Sequence, residues 1–201
     1  MKPLVSLITP TWQRHEFLTE RCIPSVRAQT YENIEHIIVS DGPDPALAEL
    51  LEANYSGKYN WRYSELPEHP YESMWGDQAR RHGESIAKSD LLGQIDDDDS
   101  LRPNHVELLV NALEKSGADF AYSSMRRYSA WDTTDVVGTD PPTYGQIGVC
   151  LLYKRKLLDI GSWRYGFNNI DWDLVERWIN GGATWAFVPQ ITVDGYPSGW
   201  R

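Results

Sequence analysis

An α/β domain with a mostly parallel central sheet flanked by helices is the fold class the sequence predicts, and three observations carry that prediction. Short aliphatic, β-branched runs alternate with stretches of helical periodicity through the first hundred residues. Three of those runs end abruptly, on Pro10, on Asp41-Gly42 and on Asp96, as buried strands do where they hand over to loops. The 201 residues, 41% hydrophobic and 24% charged, suit one domain with a substantial core.

Val5 to Thr9 reads as a buried strand ending at Pro10. A helical stretch follows from Glu16 to Gln29, and Pro24 within it should kink or divide it, because proline lacks the N–H an interior turn needs. Ile34 to Ser40 is the second strand, stopped by Asp41-Gly42-Pro43. Asp44-Pro45 joins an N-cap to a proline at the first helical position, and Leu47, Leu50, Leu51 and Tyr55 follow on one face. Trp61 to Ser64 suits a short strand. Trp75 to Lys88 is helical in pattern, with Trp75, Ala79 and Ile86 on one side. Leu91 to Ile95 is a third buried strand, running straight into Asp96-Asp97-Asp98-Asp99.

The helix after it is the clearest: Pro103 at its start, a stripe of Val106, Leu109, Val110 and Leu113, and Gly117 at its end. Phe120 to Ser124 is another strand. The polar segment from Tyr128 to Gln146 carries Pro141-Pro142 and is expected to be a long surface loop, a type that often serves as a lid or binding segment. A strand near Val149–Tyr153, helices near Lys154–Ile160 and Asp171–Asn180, and a strand-like run from Thr184 to Val193 follow.

The formal net charge of −10 argues against a nucleic-acid partner and against adsorption to anionic lipid. A small anionic ligand stays compatible, since a bound cation or a few arginines can reverse the field inside one cleft. No segment approaches the roughly 18–20 apolar residues of a membrane span, and Leu4 to Ile8 is too short for a signal-peptide core. Cys22 and Cys150 lack metal-ligand spacing and read as free buried thiols, so a cytoplasmic protein is the expectation.

Four consecutive aspartates cannot all ionise cheaply unless water or a cation offsets their repulsion. On an extended backbone Asp96 and Asp98 project to one side, roughly 6–7 Å apart. A hard cation, Mn²⁺ or Mg²⁺, could sit there and also grip a diphosphate, which bare carboxylates would repel. The plainer reading is a solvated acidic turn before a helix N-terminus. An EF-hand is rejected, because Leu101 occupies the position that requires glycine. The first two strands end at the same expected edge with Pro10-Thr11-Trp12 and Asp41-Gly42, an aromatic face and a carboxylate suited to a nucleobase.

Five segments fall in a telling order: VSLITPTWQR, SVRAQTYENIEHIIVSDG, ARRHG, GQIDDDDSLRP and GSWRYGFNNIDWDLVERWINGG. Together they resemble the family 2 inverting glycosyltransferases of GT-A fold, a Rossmann-like architecture for nucleotide-diphospho-sugar transfer. The resemblance implies one domain over residues 1–201, with a nucleotide-binding half (1–100) and an acceptor-side half (101–201). It also implies a nucleotide-diphosphate sugar donor, a hydroxyl acceptor, and Mn²⁺ or Mg²⁺ as cofactor. By position, Pro10, Thr11, Trp12, Arg14, Asp41, Arg80, Asp96 and Asp97 would bind the nucleotide. Asp96 and Asp98 would hold the metal, and Asp171 would be the catalytic base. The sequence departs from the pattern at Ile170, where a glutamate is usual, at Arg81 for asparagine and at Pro43 for serine. The last histidine is His105, so no late histidine is available as a metal ligand.

An inverting transfer needs leaving-group stabilisation on one side of the anomeric carbon and a carboxylate base on the other. Asp171 fits the base role, yet also fits a helix N-cap. Arg80 and Arg81 either neutralise phosphate charge or are simply solvated. Trp163 and Trp172 are candidates for an acceptor platform, since indole faces stack on sugars, although most of the nine tryptophans should be core. A degenerate nucleotide-sugar- or carbohydrate-binding module and a nucleotidyltransferase are the competing functions. A dehydrogenase is disfavoured, because no Gly-x-Gly-x-x-Gly follows the first strand.

Overall fold

A computed structural model describes residues 2–70, 76–129, 134–148, 150–166 and 169–197. Strands β1 (Val5–Thr11), β2 (Ile34–Ser40), β3 (Trp61–Glu65) and β4 (Leu91–Gln94) pair in parallel in the order β3-β2-β1-β4. The sheet continues through β8 (Leu151–Lys154), β6 (Phe120–Tyr128), β9 (Trp185–Gly195) and β5 (Ser100–Leu101), with β7 (Thr134–Val137) on β6.

The sheet is mixed, which corrects the expectation of a mostly parallel one. β8 runs antiparallel to both β4 and β6, β5 antiparallel to β9, and β7 antiparallel to β6. A parallel return would need a crossover of a dozen or more residues, usually helical. The segment between β6 and β8 carries no helix among its described residues, so the chain comes back antiparallel. The expected loop over 128–146 is corrected as well. β6 extends to Tyr128, and Thr134–Val137 folds onto it with Tyr128 opposite Thr134 and Met125 opposite Val137.

The stretch over 16–29 is divided, as Pro24 requires: α1 (His15–Phe17), a π-helical turn (Leu18–Cys22) and α2 (Ile23–Arg27). The wide turn falls just before the proline, where the missing donor would otherwise leave a gap in the α ladder. α3 (Pro45–Tyr55) starts at Asp44, whose carboxylate accepts from Leu47 N at 3.0 Å. α4 (Asp77–Ile86) lies so close on β1 that a Cβ at Gly83 would overlap Ile8. Trp75, expected on that helix, lies outside the described residues. α5 (His105–Ser116) begins two residues beyond Pro103 and ends at Gly117, φ 72°. Residues Arg155–Asp159 form a 3₁₀ turn rather than an α-helix, and α6 (Ile170–Asn180) follows. Cys22 and Cys150 are free and buried.

The main core joins one sheet face to α5 and α6 through Leu7, Leu92, Leu109, Phe120, Leu174 and Trp178. A smaller cluster of Ile8, Ile37, Val39 and Ala79 seats α4 on the other face. Near its middle β9 shifts register against β6, between Val188 and Ile191. Pro189, which cannot donate to a ladder, falls in that irregularity. The strand then continues to Asp194 and Gly195 beside the aspartate run, where Ser100 pairs with Asp194.

Candidate active site

The carboxyl ends of β1, β2 and β4 open onto one cleft of about 590 Å³, the edge at which open α/β sheets bind ligands. Pro10, Thr11, Trp12, Arg14, Asp41 and Arg80, all expected at a nucleotide site, line it together with Asp96 to Asp99.

The aspartate run is a turn, not an extended strand end: Asp99 N donates to Asp96 O at 3.2 Å. Curling the backbone brings Asp99 into the group, so that carboxylate oxygens of Asp96, Asp98 and Asp99 lie within 4.8 Å of one another. The expected pair of Asp96 and Asp98 is thus joined by Asp99. A merely solvated acidic turn does not fit, because Asp97, Asp98 and Asp99 are buried. Asp97 has a different environment, accepting from Thr11 Oγ1 at 2.7 Å and from Arg14 Nη1 at 3.0 Å. The Arg14 fork also reaches Asp98 Oδ2 through Nη2 at 2.6 Å. The loop carrying Arg14 turns through Gln13 at φ 53°, a strained conformation for a residue with a side chain.

Burial drives the carboxylic acids upward. Asp97 is pushed up to about 7, Arg14 and Thr11 opposing. Asp98 is raised by burial and by the charge of Asp96. Asp99 is raised well above the usual range by burial, Asp96 and Asp98. Three crowded oxygen donors, two of which, Asp98 and Asp99, resist ionisation, are the chemistry a hard divalent cation relieves, and the residues fit such an ion.

Arg80 donates to Asp96 Oδ1, and its guanidinium lies 4.7 Å from the centre of the Trp163 ring. Burial opposes its charge, but Asp96 and Asp171 outweigh that and hold it protonated. Trp163 is 1% exposed. That corrects its place as an acceptor platform: the indole is the floor beneath Arg80. Trp172 is half-buried and packs edge-on against Tyr144, centroids 6.4 Å apart, outside the lining of either compartment of the site.

A second compartment of about 290 Å³ adjoins the first, sharing Arg80, Asp96, Asp99, Met125 and Arg127. Asp171 lines it from the first turn of α6. The N-cap is Asn169, whose Oδ1 accepts from Trp172 N at 2.9 Å, so Asp171 is not the cap. Burial and the charge of Asp96 push Asp171 up to about 7, against the pull of Arg80. The turn bearing it is fastened by Asp173, which binds Arg164 on the preceding loop and Arg177 one turn on.

Sequence reasoning missed several residues here. His69 stacks on Trp12, and its Nδ1 meets Asp41 O at 2.5 Å. Tyr196 N donates to Asp99 at 3.1 Å. Arg127 and Tyr128 come from the extension of β6. Asp99 alone carried a local signal, its place in the acidic run; the others are brought in by tertiary pairing.

A carboxylate cluster able to hold a divalent metal, at the carboxyl edge of a parallel strand set and beside the stacked rings of Trp12 and His69, marks the candidate site of this α/β domain. The chain belongs to glycosyl transferase family 2, which it matches over residues 6–175. It is similar to glycosyltransferase GlyG of Streptococcus pneumoniae, 28% identical over 132 residues that cover 66% of this chain and 42% of that protein. It is also similar to the chondroitin synthase of Pasteurella multocida, 30% identical across 86% of this chain but only 18% of that one. The crystal structure of S. aureus TarS 1-349 in complex with UDP-GlcNAc shares the fold, with a TM-score of 0.78 at 16% identity, over 98% of this chain and 60% of that one. The chain therefore spans less than two thirds of each.

Proposed function

We propose that this chain is a metal-dependent inverting glycosyltransferase of GT-A type, moving a sugar from a nucleotide-diphosphate sugar to an acceptor hydroxyl. The observation that carries the reading is the meeting of two compartments across Asp96 and Arg80, with the carboxylate cluster on one side and Asp171 on the other. In this reading the first hundred residues bind the nucleotide and the remainder faces the acceptor. Among the described residues no helix is long and apolar enough to cross a membrane. A cytoplasmic site of action is part of the proposal.

Trp12 and Asp41 take the base, the first by stacking and the second by accepting from a ring N–H. Asp96, Asp98 and Asp99 would hold Mn²⁺ or Mg²⁺, which supplies Lewis-acid stabilisation of the departing diphosphate. Asp171 accepts the acceptor hydroxyl's proton as its oxygen forms a bond to the anomeric carbon. The bond from that carbon to the phosphate oxygen breaks, and its electron pair leaves with the nucleoside diphosphate. One displacement gives inversion. Arg80 offsets part of the repulsion between Asp96 and Asp171 across the junction.

The test is a screen of nucleotide sugars with Mn²⁺, reading nucleoside diphosphate release with and without candidate hydroxyl acceptors. Release with an inverted product supports the reading. Binding of nucleotide sugars without turnover across the acceptor panel would point to a non-catalytic binding module instead.

A further inference from the structure

We propose that Arg127 clamps the diphosphate of the donor, swinging from Asp135 onto the leaving phosphate; this rests on the donor reading above. The argument starts from charge. Five carboxylates line the larger compartment, those of Asp41 and Asp96 to Asp99, against the arginines Arg14, Arg80 and Arg127. Arg14 is engaged by Asp97 and Asp98, and Arg80 by Asp96. Both are largely buried in those pairs, their side chains 15% and 3% exposed. A divalent cation offsets only part of what remains, and a diphosphate adds more negative charge.

Arg127 is differently placed. It pairs with Asp135, Nη2 to Oδ2 at 2.7 Å, directly across the β6–β7 hairpin. Asp135 does not line either compartment, and the two side chains are 48% and 65% exposed. An ion pair so open to water contributes little and exchanges readily for a stronger anion. Strand alternation puts Arg127 on the same face as Met125, and both line the two compartments at once. That junction is where the sugar–phosphate bond must lie if the nucleotide fills one compartment and the acceptor the other. A planar guanidinium there can donate two parallel hydrogen bonds to phosphate oxygens as the negative charge develops. No proton is transferred; the arginine remains charged throughout.

Calorimetry with UDP and GDP in Mn²⁺, together with ligand-observed NMR of uridine and guanosine, tests this on the full chain. Arg127→Ala should weaken diphosphate binding roughly 10- to 100-fold and leave nucleoside binding unchanged. Arg127→Lys should recover part of the loss, as a point charge without the fork. Asp135→Asn should bind the diphosphate as tightly as the wild type or more so, because the competing carboxylate is gone. Unchanged diphosphate affinity in Arg127→Ala, with a raised acceptor KM, would assign Arg127 to the acceptor and overturn the proposal. Equal losses for nucleoside and diphosphate would overturn it too, as a general disruption of the cleft. If the wild type binds neither diphosphate, the donor reading itself fails, a result distinct from a wild type that binds and a variant that does not care.

Discussion

The imidazole of His69 lies over the indole of Trp12, ring centroids 4.4 Å apart and planes 6° from parallel. A Cβ on Gly42 would come within 2.6 Å of Trp12 and 2.9 Å of His69, so the loops after β1, β2 and β3 close here only because residue 42 has no side chain. This stack and Asp41 form one wall of the larger compartment. Trp12→Ala should weaken nucleotide binding by roughly 1–3 kcal/mol, the usual contribution of a base–aromatic stack. Gly42→Ala should weaken it as well, by pushing the rings apart. Calorimetry with UDP and GDP reads both, and wild-type affinity in Trp12→Ala would remove the base from this wall.

The carboxylate cluster should make nucleoside diphosphate binding conditional on a divalent cation. Asp98→Ala and Asp99→Ala should each lose most of the Mn²⁺-dependent affinity, and EDTA should abolish it in the wild type. The Asp99 variant separates the three-carboxylate group from a pair made of Asp96 and Asp98 alone. If Asp99→Ala titrates with Mn²⁺ as the wild type does, Asp99 is not a ligand.

Stability without metal should fall as pH rises. Asp97 and Asp171 are both raised from 3.8 to about 7 in the folded protein. The folded state therefore holds protons that the unfolded chain has released, and this stabilisation is fully present below pH 3.8. It is lost as pH climbs through about 7. In EDTA the melting temperature should be higher at pH 5 than at pH 8 by roughly 3 °C or more. Mn²⁺ should shrink the difference by stabilising the ionised cluster. A melting temperature that rises with pH in EDTA would contradict the burial-driven shifts.

Asp171→Asn should preserve nucleotide binding while transfer falls by about 10²–10⁴-fold, the usual contribution of a general base. Stability should hold or improve, since the helix is capped by Asn169 and the substitution removes repulsion from Asp96. Transfer by the wild type should climb with pH as Asp171 ionises, with its midpoint at or below about 7 once a cation offsets Asp96. Undiminished transfer in Asp171→Asn would place the base elsewhere.

What the sequence by itself determined is the parallel half of the protein and the groups at its edge. The strands ending at Pro10-Thr11-Trp12, Asp41-Gly42 and Asp96 are legible because each is a short apolar run buried on both faces and followed by turn-forming or acidic residues, although β1 runs on through Pro10 to Thr11 rather than stopping at the proline. Strands β1, β2 and β4 lie side by side, so chain order and punctuation alone put Trp12, Asp41 and the aspartates in one cleft. The second half obeyed long-range pairing instead. β8 slips between β4 and β6, β6 gains a hairpin partner, and β9 runs past Pro189 to bring Tyr196 onto Asp99. None of those pairings leaves a local pattern, because the direction and register of a long-range pair depend on which edge is free when the strand arrives. Burial decided the rest: Trp163 and Trp172 look alike in sequence, yet only the fold could put one beneath Arg80 and leave the other half-buried against Tyr144. The aspartate turn lies between these cases. Its four carboxylates are plain to read, but whether two or three converge depends on a backbone turn of a single hydrogen bond, Asp99 N to Asp96 O, and on Arg14 drawing Asp97 aside.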